Sequence, residues 1–146
     1  MVAFRAMDTT LEQTLRDIYA SAETIAVVGA TPNPEKAGNS IPRYLQSQGY
    51  RIVPVTPSHD EVLGARAYAT LADVDVPVDV VDVFRPASEA PGIVREAIAV
   101  GAKVVWLQLG IVSQEAAAIG EEAGLTVIMD LCMGAAHRTL GLGPRP

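Results

Sequence analysis

Five short apolar runs constrain the fold more than any other feature of the chain: Thr24–Gly29, Arg51–Val55, Val78–Phe84, Lys103–Leu109 and Leu125–Asp130. Runs of this length, rich in Val and Ile and lacking strict alternation, fit strands buried on both faces of a parallel sheet. Helical patterns fill the gaps. A Thr-capped helix is predicted from Thr9 or Thr10 to Ser21, with Leu11, Leu15, Ile18 and Tyr19 on one face. Others are predicted at about Ser40–Gln48, Ala87–Val100 and Ser113–Ala123, closed by Gly49, Gly101 and Gly124. Only Asp60–Val74 reads as irregular, with a turn at Gly64, a short strand at Ala67-Tyr68 and a helical turn at Leu71–Asp73. Strands alternating with helices imply a doubly wound, mainly parallel five-stranded α/β sheet with helices on both faces. In such a sheet ligands bind beyond the carboxyl ends of the strands, where the winding reverses.

The 146 residues suit one domain, with residues 1–22 as a helical segment packed on it. Because 49% of the chain is hydrophobic but only 5% aromatic, the core must be built from Val, Ile, Leu and Ala. A net charge of −6 with no basic run argues against nucleic acid as a partner. Any anionic ligand therefore depends on local groups. The single cysteine, Cys132, cannot form an internal disulfide, which points to a reducing cytoplasm. MVAFRAMDTTLEQTL lacks the apolar core of a signal peptide, and no apolar segment is long enough to span a bilayer.

The stretch VGATPNPEKAGNS, Val28 to Ser40, carries the main functional signal. A buried strand runs into Gly29, a polar loop with Pro32 and Pro34 follows, and a helix begins with Asn39 or Ser40 as N-cap and Pro42 in its first turn. Strand, glycine turn and helix N-terminus together present unpaired N–H groups and a positive dipole end, an arrangement that favours phosphate. Lys36 adds a full charge. The G-x-G-x-x-G dinucleotide fingerprint is absent, since Ala30, Thr31 and Pro32 follow Gly29.

The other strand ends hold few reactive groups. Arg85 can meet phosphate oxygens or pair with Asp82 or Glu89, while Thr31, Ser40, Thr56 and Ser58 offer hydroxyls and Gln108 an amide. Asp82 sits in tension with the apolar run around it. Cys132 and His137 stand five residues apart, yet a lone cysteine after a buried strand reads as a small hydrophobe, and His137 as a surface or interface imidazole. No metal-ligand spacing is present. The chain is equipped to bind rather than to react.

In order, VVGATPNPEKAGNS, VPVTP, DVVDVFRP, VVWLQLGI and MDLCMGAAH resemble the small stand-alone CoA-binding proteins over nearly the whole chain. Those are similar to the CoA-binding domain of the succinyl-CoA synthetase α subunit and of ADP-forming acyl-CoA ligases. The resemblance implies a Rossmann-like sheet and coenzyme A or an acyl-CoA as ligand. It places Gly29, Ala30 and Thr31 at the pyrophosphate, and Lys36, Asn39 and Ser40 at phosphate oxygens. Val55, Thr56 and Pro57 would line the nucleotide side, Phe84 and Arg85 the next strand end, and Gln108 to Gly110 the far wall. Thr56 stands where the family usually has Asn, and Leu131 where it usually has Arg. The ligases' phosphorylatable histidine domain and nucleotide-grasp subunit have no counterpart here, so the expected role is non-enzymatic CoA binding. Two alternatives stand beside it: an NAD(P)-binding enzyme or redox sensor on the same fold, and the CoA-carrying subunit of a multi-chain ligase. A protein partner or homo-oligomer stays open.

Overall fold

A computed structural model describes residues 8–146. The first seven residues, part of the stretch read above for a leader and for the N-terminal segment, lie outside the described residues. Seven strands and five α-helices follow in chain order: α1 Thr9–Ser21, β1 Thr24–Val28, α2 Ala37–Ser47, β2 Arg51–Val55, β3 Glu61–Val62, β4 Ala65–Arg66, β5 Val80–Val83, α3 Ala90–Ala99, β6 Val104–Leu107, α4 Gln114–Glu122, β7 Thr126–Ile128 and α5 Met133–Thr139. Short 3₁₀ turns lie at Leu71–Asp73 and Ala87–Glu89.

The apolar runs form one five-stranded parallel sheet in the order β2-β1-β5-β6-β7, and β3 and β4 make a separate antiparallel pair. Connections first wind outward from β1 to β2 and then return to β5 on its other side, so the winding reverses between β1 and β5. Val27 at the centre of β1 is opposite Pro54 on one side and Asp82 on the other. Pro54 is tolerated because β2 is an edge strand: its carbonyl faces outward and accepts the Tyr68 N–H at 3.0 Å, so no bond to β1 is lost.

Successive side chains of each strand face opposite layers. Ile25, Val27, Val80, Val104 and Trp106 meet Leu15, Ile18 and Tyr19 of α1, Leu45 of α2 and Met133 of α5. Ala26, Val81, Val83, Val105 and Leu107 meet Ile93, Val94 and Ala97 of α3 and Ala116 of α4. Buried polar tips are satisfied by backbone: the Tyr19 hydroxyl donates to Met133 O at 2.6 Å, Tyr50 to Tyr19 O at 2.8 Å, and Trp106 Nε1 to Leu131 O at 2.8 Å. The first and third of these bonds hold the segment after β7 against α1 and β6. Among the described residues, no helix is long and apolar enough to cross a membrane.

Several local expectations are corrected. The cap of α1 is Asp8, not a threonine; its Oδ1 accepts the Leu11 N–H at 2.7 Å. Helix α2 starts at Ala37 with Lys36 in the cap position, so Asn39, Ser40 and Pro42 lie inside it. Pro42 has no N–H for the Gly38 carbonyl four residues back, and that carbonyl accepts the Thr31 N–H at 3.3 Å instead. The short strand is Ala65–Arg66, reached through Leu63 and Gly64 at φ 55° and 74°, while Tyr68 forms a single bridge to Val55. Residues 133–139 form a helix that the glycine and alanine content of this stretch concealed. His137 is buried against Tyr19, Tyr44 and Tyr50 rather than exposed, with Nδ1 sharing a 2.7 Å hydrogen bond with the Tyr44 hydroxyl.

Candidate functional site

Where β1 and β5 part, the backbone turns so tightly that two positions must be glycine. Gly29 adopts φ +94°, donates its N–H to Val55 O at 3.0 Å, and a Cβ there would stand 2.9 Å from Phe84 O. A Cβ on Gly38, at the start of α2, would stand 2.7 Å from Gly29 O. Between them the loop is braced by its own side chains. Thr31 Oγ1 accepts the Asn33 N–H at 3.2 Å, Asn33 Oδ1 accepts the Glu35 N–H at 3.0 Å, and buried Asn39 donates Nδ2 to Thr31 O at 2.9 Å.

These bonds decide which amides remain for a ligand. The Gly29 N–H is used by Val55 and the Thr31 N–H by Gly38. Among the described residues, the N–H groups of Ala30, Ala37 and Gly38 have no backbone partner beyond the regular elements, and all three residues line the pocket that opens here. The first turn of α2 thus presents its positive dipole end to the same space.

The pocket has a volume of about 1130 Å³ and runs along the carboxyl ends of the sheet. It brings together Gly29, Ala30, Thr31 and Lys36 with Val55, Thr56 and Pro57 after β2, Phe84 and Arg85 after β5, and Gln108 after β6. Asn39, Ser40 and Gly110 are not on its wall. Asn39 braces the loop, and the Gly110 N–H donates to Asp130 Oδ1 at 2.7 Å. Other wall residues escaped the sequence reading. His59, Thr70 and Leu71 come from the irregular segment that the β3–β4 pair folds back beside β2, next to Ser58, which the sequence had offered as a hydroxyl. Ile93 and Glu96 of α3 continue at helical spacing from Glu89, the Arg85 partner offered by the sequence, so the periodicity of the helix could have found them. Cys132 is also on the wall and only half-buried, unlike the small buried hydrophobe expected.

Charge on the wall is mixed. Lys36 is exposed at the helix start. Arg85 makes a bidentate pair with Glu89, at 3.1 and 2.7 Å, and this hydrogen-bonded pairing raises the guanidinium pKa and lowers that of the carboxyl. Both side chains are about half exposed, so the pair exchanges readily with water or an anion. Asp82 lies wholly inside the sheet, with neither carboxyl oxygen hydrogen-bonded, and desolvation raises its pKa well above the ordinary range. It is therefore not the partner of Arg85. The wall is suited to an elongated anionic nucleotide: three unpaired amides and a lysine at one place, apolar stretches and single polar groups on either side.

Residues 23–138 match the family model of the CoA binding domain. The chain belongs to the CoA-binding domain family. This CoA-binding-domain chain is 40% identical over 123 residues to the uncharacterised protein YneT of Bacillus subtilis, a match covering 84% of the chain and 91% of YneT. The solved structure of a hypothetical protein from Pyrococcus horikoshii OT3 superposes with a TM-score of 0.87 at 38% identity, covering 90% of this chain and 92% of that one. The acetate–CoA ligase (ADP-forming) I of Archaeoglobus fulgidus is 25% identical over 122 residues, which span 77% of this chain but only 18% of the ligase. The matched stretch is thus a small part of a much longer ligase.

Proposed function

We propose that this chain binds coenzyme A or an acyl-CoA without transforming it. The observation that carries the reading is the three unpaired amides of Ala30, Ala37 and Gly38 beside Lys36, at one place in a pocket of about 1130 Å³ lined by the strand ends from β2 to β6. The phosphates belong at that place, as charge-assisted acceptors of backbone and lysine hydrogen bonds. The nucleoside end belongs beside Val55, Thr56 and Pro57, where Thr56 Oγ1 is already held by the Ser58 N–H at 3.3 Å. Arg85 reaches a phosphate once its pair with Glu89 opens.

A nicotinamide dinucleotide fits less well. Its ribose diol needs a carboxylate just past β2, and the wall there consists of Thr56, Pro57, Ser58 and His59, while Asp60 and Glu61 stay off it. The wall carboxylates, Glu89 and Glu96, belong to the other side of the sheet crevice. The kinship with ligases supports a further reading, in which the domain holds CoA for a separately encoded catalytic chain. Native mass spectrometry of freshly purified protein tests all three. CoA or an acyl-CoA travelling with the chain is the expected result; NAD(H) or NADP(H) in its place would overturn the assignment, and co-purification of a ligase chain would favour the subunit role.

A further inference from the structure

The pocket wall formed by Gln108 after β6 and Cys132 after β7 has a chemistry of its own. Gln108 is about 95% buried; its Oε1 accepts the Met133 N–H at 3.1 Å, and among the described residues its Nε2 has no hydrogen-bond partner although the residue lines the pocket. An amide donor left open on the pocket wall of an otherwise buried side chain is matched to an acceptor on a ligand. Next to Met133 stands Cys132, the only cysteine of the chain, half-buried on the same wall. Its position is held from three sides: Trp106 Nε1 binds Leu131 O at 2.8 Å, Gln108 binds Met133 N, and the Ala135 N–H points at Sγ at 3.4 Å. Gln108 ends β6, two strand spacings or about 10 Å from Ala30 at the end of β1, and the Cys132 segment is bonded beside it. A ligand with its nucleoside at Thr56 and its phosphates at Ala30 therefore meets Gln108 and Cys132 with an arm that extends past the phosphates, one carrying an acceptor and a terminal group that a thiol can address.

Resting on the CoA reading above, we propose that Cys132 captures the thiol end of coenzyme A as a mixed disulfide, by exchange with CoA disulfide, while Gln108 Nε2 donates to an amide carbonyl of the arm. The step is balanced within the two reactants. The Cys132 thiol gives up its proton, Sγ attacks one sulfur of the CoA disulfide, and the S–S bond breaks as the Sγ–S bond forms. The departing CoA thiolate takes up a proton, and the number of disulfides is unchanged. Free thiol in excess reverses the exchange. The protein would thereby report, or store, the oxidised fraction of a CoA pool.

The test is intact-mass spectrometry of the full chain, without reductant, after exposure to CoA disulfide or to glutathione disulfide. One CoA adduct per chain is expected, forming at least about tenfold faster than the glutathione adduct because the pocket pre-orients the sulfur. Desulfo-CoA, which has the arm but no sulfur, should suppress the CoA adduct, and Cys132→Ser should abolish it. Gln108→Leu should cut the CoA rate about tenfold, the worth of one hydrogen bond in a dry site. Desulfo-CoA binding by calorimetry separates the two levels. If it binds while the CoA adduct forms no faster than the glutathione adduct, disulfide capture is wrong and the CoA pocket stands; if it does not bind, both fall.

Discussion

Replacing Asp82 by valine should stabilise the protein at neutral pH, although it alters the centre of the sheet. Asp82 is fully buried in β5 between Val27 of β1 and Trp106 of β6, and both carboxyl oxygens lack partners. Removing an unsatisfied buried polar group returns about 1–3 kcal/mol. Valine is close to aspartate in size and suits a strand buried on both faces. Linkage adds to this. Burial raises the carboxyl pKa in the folded state, so the folded chain binds more protons than the unfolded one, and its stability falls as pH rises from the ordinary carboxylate range to the raised folded pKa. That slope is on the order of 1 kcal/mol per pH unit. Asp82→Val removes it, so the gap between variant and parent should widen from pH 4 upward. Urea unfolding read by the fluorescence of Trp106, the only tryptophan and wholly buried, measures both at a series of pH values. A less stable variant, or a gap independent of pH, would refute the reasoning by showing that the carboxyl is ionised and paired.

Other outcomes follow from the same geometry. Lys36→Ala should weaken CoA binding by about 1–3 kcal/mol in calorimetry if its charge meets phosphate; unchanged affinity would remove Lys36 from the site and leave the amides. Gly38→Ala should cost about 1–3 kcal/mol of stability in urea unfolding, because its Cβ would be driven against Gly29 O, and ordinary stability would show that the loop relaxes freely. Glu89→Gln should tighten CoA binding severalfold by releasing Arg85 from its ion pair, whereas weaker binding would mean the pair itself positions Arg85. Burial lowers the His137 pKa, so the folded state binds fewer protons there and stability should decline as pH falls through the ordinary imidazole range. His137→Phe should flatten that part of the thermal-midpoint profile, and an unchanged profile would place the acid sensitivity elsewhere.

The sheet was legible because its strands are short apolar runs closed by breakers. The glycine loop after β1 was legible as a place but not as a set of open N–H groups. Which N–H groups stay open depends on Pro42 freeing the Gly38 carbonyl for Thr31, a tertiary consequence of a proline expected in the first turn and found deeper in the helix. Helix α5 went unread because Gly134 and a sulfur cap, Cys132 accepting the Ala135 N–H, replace the usual signals. Gly134 is tolerated there because Ile41 and Tyr44 of α2 pack where its side chain would be. The wall residues His59, Thr70 and Leu71 were hidden for a related reason: a hairpin of two-residue strands has too little pattern to predict where it folds back.

Calorimetric titration of the full chain with coenzyme A tests the central claim most directly. The account predicts saturable binding of one CoA per chain, weaker for dephospho-CoA and weaker again in Lys36→Ala. Absence of heat and of any thermal shift with millimolar CoA, together with binding of NAD(H) in its place, would contradict it.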